Sequence, residues 1–83
     1  MSALGELRQA LLTAEESLER ARGGLAQGRR SLTEAEAALA RIDPDHPDAV
    51  VPPALHRADD QIERTLGLVE QVMDTLRDYS ARL

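Results

Sequence analysis

Asp43-Pro44-Asp45-His46-Pro47-Asp48-Ala49-Val50-Val51-Pro52-Pro53 carries four prolines in eleven residues. Proline removes a backbone donor and clashes with the preceding helical turn, so no helix passes through this stretch. Each residue before a proline is also pushed out of the helical region. The stretch therefore reads as a connector over 43–52. Pro53 suits the first turn of a following helix, where a missing N–H costs nothing. The connector divides the chain into two long segments, and their pattern decides the fold.

Upstream, a seven-residue repeat holds for six repeats. Its a positions are Leu4, Leu11, Leu18, Leu25, Leu32 and Leu39. Its d positions are Leu7, Ala14, Ala21, Gly28, Ala35 and Ile42, and its g positions are Ala3, Ala10, Ser17, Gly24, Ser31 and Ala38. A leucine ridge with small-residue grooves beside it accepts close helical neighbours. Gly23, Gly24 and Gly28 each cost about 1 kcal/mol inside a helix, and Ser31-Leu32-Thr33-Glu34 is a capping box that could open a new helix. The repeat nevertheless crosses the glycines without a slip, and Thr13 to Glu16 is an equally good box inside the same run. The expectation is one helix over 3–42.

Downstream the repeat continues. The a row is Leu55, Ile62, Val69, Leu76 and Leu83, and the d row is Ala58, Thr65, Val72 and Tyr79. Leu66 and Met73 at e and Leu68 at g make a stripe broader than a two-stranded seam needs. A second helix is expected over 53–82.

Folding the segments into an antiparallel hairpin sets Ile42 near Leu55, so paired positions total about 97 in an a-to-d seam. Ala35 then faces Ile62, Gly28 faces Val69, Ala21 faces Leu76, Leu39 faces Ala58, Leu32 faces Thr65, Leu25 faces Val72 and Leu18 faces Tyr79. Most layers pair large with small, as interdigitated packing requires. At 1.5 Å per residue the helices are about 60 and 45 Å long. Some twelve residues of the first therefore overhang, carrying Leu4, Leu7, Leu11 and Leu12. These residues, with Leu66, Leu68 and Met73, are the expected contact surface for a partner. The expected fold is an all-α helical hairpin, coiled-coil-like, one domain over 1–83, assembling into a four-helix bundle.

The chain has 83 residues, no cysteine and one aromatic residue, Tyr79. A chain of this size buries only about 60% of its unfolded surface. Without disulfides or thiolate metal sites, stability is expected from association or regular helix packing. A net charge of −5, no lysine and no interleaved aromatics exclude a nucleic-acid or anionic-membrane binder. There is no basic-then-apolar leader at the start. Cytoplasmic is the expected location, with signal-independent secretion left open.

Candidate sites are few. Asp43, Asp45, His46 and Asp48 concentrate metal-ligating types, but Asp48 and Ala54 stand where a calcium loop needs Gly and Glu. They read as a solvated turn. His56, Asp59 and Asp60 share a helical face and read as surface contacts. Arg20, Arg22, Arg29 and Arg30 girdle the glycines and read as a solvated face balanced by nearby glutamates. Ser2, Ser17, Ser31 and Ser80 have no histidine nearby, so no nucleophile–base pair forms. No enzyme activity, cofactor or metal is expected.

The two-helix layout resembles the WXG100 family of type VII secretion substrates, helical hairpins that dimerise into four-helix bundles, and the small uncharacterised two-helix proteins of actinobacteria. The family's Trp-x-Gly turn is replaced here by the Pro-rich connector. Its C-terminal Tyr followed four residues later by an acid meets Tyr79 with Leu83 at that spacing. The resemblance therefore implies layout and dimerisation and carries over no functional residue. The function expected is a self-associating helical interaction module, a homodimer. The alternative is a dedicated partner of another helical protein, such as an antitoxin-like, immunity-like or secretion-associated helper.

Overall fold

The computed structural model describes residues 2–83, with only the backbone of Asp48 described. It is an all-α antiparallel hairpin measuring 64 × 16 × 15 Å. Helix α1 spans Ala3–Ala40, a single turn α2 spans Pro47–Val50, and α3 spans Pro53–Ala81. Ser2 starts α1 in an extended conformation, and its Oγ accepts the Gly5 N–H at 3.0 Å. That bond satisfies one of the orphan donors every helix start leaves. Helix α1 runs unbroken through Gly23, Gly24 and Gly28, all in ordinary helical geometry. It stops two residues short of the expected end. Arg41 N–H closes the last turn on Ala37 O. Proline opens both later helices, with Pro47 and Pro53 each in the first turn.

The two long helices pack along their length, but not along the expected rows. In α1 the shielded positions are Leu11, Glu15, Leu18, Arg22, Leu25, Arg29, Leu32, Glu36 and Leu39, with Ala14, Ala26, Gly28 and Ala40 beside them. That alternation of four and three residues is an a-and-e seam. In α3 the same rows are shielded, from Leu55 through Ile62, Leu66, Val69, Met73 and Leu76 to Leu83. Leu66 and Met73 pull the apolar centre of α3 from d toward e, and α1 turns to meet it. At e in α1, Glu15, Arg22, Arg29 and Glu36 are half-buried, as long charged side chains are when their stems cover apolar surface.

Several expected core positions are therefore off the seam. Ala21 and Ala35 are exposed. Ile42 is 71% exposed, Val72 46% and Tyr79 45%. Gly28 does not lie under Val69, because a Cβ built on it meets nothing within 4 Å. Conversely, Met73 is the best-buried side chain among the described residues, 2% exposed, and Leu11 and Leu66 are half-buried, so these three line the hairpin seam.

The register also differs. Arg29 reaches Asp59 at 3.5 Å and Glu63 at 3.7 Å. Ser80 Oγ donates to Glu15 Oε1 at 3.2 Å, and Arg8 donates to the Leu83 carbonyl at 3.0 Å. These pairs total 88 to 95 and centre near 92, against about 97 expected, a slip of roughly one turn. The helix ends account for it: α1 stops at Ala40 and α3 starts at Pro53, so these two stand near one level where Ile42 and Leu55 were expected to. Between them Val51 is buried, 8% exposed. The slip shortens the overhang. Leu83 now stands level with Arg8, so the free end is residues 2–7 rather than the first dozen.

Candidate functional site: the uncharged flank of the hairpin

The a-and-e seam gives the hairpin two unlike flanks. Successive residues turn by 100°, so in each helix e and b fall on one side of the seam and d and g on the other. In an antiparallel pair, equivalent rows of the two helices share a flank.

Every interhelical side-chain contact named above comes from the e-and-b flank. Arg29 at e meets Asp59 at e and Glu63 at b, and Glu15 meets Ser80, both at e. On the same flank Glu19 holds the Arg22 guanidinium and raises its pKa further above the ordinary value, with Glu70 of α3 adding to the attraction. Glu36 Oε1 and Asp59 Oδ1 are shielded from solvent without a hydrogen-bond donor, and Asp59 Oδ1 has only the Arg29 ion pair. Charges at this flank organise the hairpin itself.

The opposite flank has no charge until its end. In α1 the d and g rows from Ala3 to Ile42 hold twelve residues, all Ala, Gly, Ser, Leu or Ile. All twelve Arg and Glu residues of segment 1–42 fall at b, c, e or f. In α3 the same rows hold Ala54, Ala58, Gln61, Thr65, Leu68, Val72, Thr75 and Tyr79 before Arg82. Leu68 is 61% exposed and stands with Val72 and Tyr79 as a ridge. The two threonines need nothing from a neighbour. Thr65 Oγ1 donates to Gln61 O at 2.8 Å and Thr75 Oγ1 to Gln71 O at 3.0 Å. Their hydroxyls are satisfied within the helix, so covering this flank strands no threonine donor.

The α1 side of the flank is a furrow. Cβ atoms built on Gly24 and Gly28 meet nothing within 4 Å, so the hairpin itself does not require glycine there. At the α1 start, Leu4 and Leu7 stand exposed, as does Leu12 at b.

Of the expected partner residues, Leu4, Leu7, Leu12 and Leu68 are open, while Leu11, Leu66 and Met73 are shielded in the seam. Three exposed apolar residues come from the expected core instead: Ile42, Val72 and Tyr79. A sequence signal for this existed in the phase of the charges. In a heptad d and g lie on the same side of a, and the side lacking Arg and Glu marks the uncovered flank.

The other candidates stay separate. His46 Nδ1 lies 3.5 Å from Asp43 Oδ2 with both side chains largely open, and the side chain of Asp48 lies outside the described set. Among the described residues no three His, Asp or Glu side chains gather as a metal site. No described helix is long and apolar enough to cross a membrane. Comparison with family models, curated proteins and solved structures finds no match for the chain.

Proposed function

We propose that this protein is a non-catalytic helical assembly module that works as a homodimeric four-helix bundle. The observation that carries this is the uncharged flank. A single hairpin leaves its g row and much of its d row open to water, with Leu68, Val72 and Tyr79 exposed upon it. Soluble monomers rarely keep an apolar strip of that extent.

Area supports the same reading. The chain exposes 6097 Å². A compact monomer of 9.1 kDa exposes about 4,900 Å². The excess is about 1,200 Å² per chain, the extra surface of an elongated rod with long flanks free for a partner.

The test is mass in solution. Light scattering or sedimentation equilibrium at tens of micromolar should return twice 9.1 kDa. A single-chain mass at high micromolar concentration would sink the homodimer and leave the flank to a different helical protein.

A further inference from the structure

We infer that the second copy docks with its connector at the same end, so that the α3 ridge of each chain enters the α1 furrow of the other. This rests on the homodimer reading and adds the occupant's orientation and register.

Two face-to-face hairpins have two simple symmetric arrangements. With the two-fold axis along the hairpin, α1 lies on α3 of the partner. With the axis across it, α1 lies on α1 and α3 on α3. The second arrangement sets furrow against furrow and ridge against ridge, so its two layers demand different helix spacings from the same pair of hairpins. The first sets large residues against small ones.

Its register has no free parameter. A two-fold along the hairpin keeps heights unchanged, so residues level within one chain are level between chains. The interhelical contacts centre near a total of 92. Leu68 therefore stands level with Gly24, Val72 with Ala21, and Tyr79 with Ala14. Each pair joins like rows, g to g or d to d, and each places a large exposed residue over a small one. Nearer the connector Thr65 meets Gly28 and Ala58 meets Ala35, small on small, where the helices come close. Of the four glycines on which a Cβ would meet nothing within 4 Å, Gly24 and Gly28 fall in this interface, while Gly23 and Gly67 lie at f, outside it. The a-row leucines then point to the bundle centre, between the e row facing the chain's own α3 and the d row facing the partner's.

The chain has no cysteine, which makes single-cysteine variants clean reporters. Ala21→Cys and Val72→Cys are made in separate chains, mixed, unfolded together, refolded and treated with a short thiol cross-linker. The expected product is a covalent dimer of one chain of each kind. Each variant by itself should give little, because like positions sit diagonally across the bundle. Arg77→Cys, on the charged flank, mixed with Ala21→Cys measures random collision and should stay at background. Efficient self-linking of Ala21→Cys in a chain of dimeric mass would overturn the shared-end arrangement while the homodimer stood. A monomeric mass with every pair at background would overturn the homodimer and this inference together.

Discussion

Gly23 and Gly24 are neighbours with opposite expected roles. Both are exposed, and a Cβ on either meets nothing within 4 Å in the hairpin. Gly23 lies at f, away from both the seam and the uncharged flank. Gly23→Ala should raise stability by about 0.5–1 kcal/mol through helix propensity, read as a higher melting temperature with unchanged mass. Gly24 lies at g under the inferred position of the partner's Leu68. Gly24→Leu gains as much propensity yet should shift the mass toward a single chain. If Gly24→Leu melts higher and keeps its mass, the furrow is not an interface. Met73 answers a different question, because it is the anchor of the hairpin seam. Met73→Ala should cost about 2–5 kcal/mol by leaving a cavity the two helices cannot close. A loss under 1 kcal/mol would mean that the seam does not depend on it.

Among the elements, the connector holds the hairpin through one side chain. Val51 is the only described residue between the long helices that is buried. Val51→Ala should cost about 1 kcal/mol in a denaturant titration, the scale of a trimmed buried side chain. Replacing Asp43, Asp45 and His46 with serine should cost far less, since all three carboxylate or imidazole groups face solvent in good part. An equal loss from the two changes would mean the polar turn carries the reversal. The ion pairs across the charged flank are expected to add little. Arg29 and its partners Asp59 and Glu63 are each substantially exposed, and such pairs contribute about 0–1 kcal/mol.

For the whole molecule, dimerisation makes stability depend on concentration. A bundle that unfolds to separate chains gains stability by mass action, so its melting temperature should rise as protein is concentrated from about 1 to 100 μM. A melting temperature constant over that range would contradict a dimer coupled to folding. The same logic explains why the hairpin has so few fully buried residues. Only Val51 and Met73 fall in that class among the described residues. Two helices shield one stripe each, and in the proposed assembly the leucine row completes its burial between four.

The sequence by itself determined the two helices, the reversal between them and the all-α hairpin. Those features rest on local rules: proline cannot sit in a helix interior, and a seven-residue apolar repeat marks a helix face through every turn. The seam and register were decided only in three dimensions. The leucine row at a is shared by two possible seams, a with d or a with e, and α1 alone does not choose between them. The choice came from α3, where Leu66 and Met73 outweigh Thr65 and Tyr79. Counting connector residues set Ile42 opposite Leu55, but α1 stops at Ala40 and α3 starts at Pro53, and those two stand near one level instead. A register is a long-range quantity, and a shift of one turn changes no local preference. Val72 and Tyr79, which look like core in the heptad, stand on the surface because the seam runs along a and e, and the flank they occupy became visible only once the helices were packed.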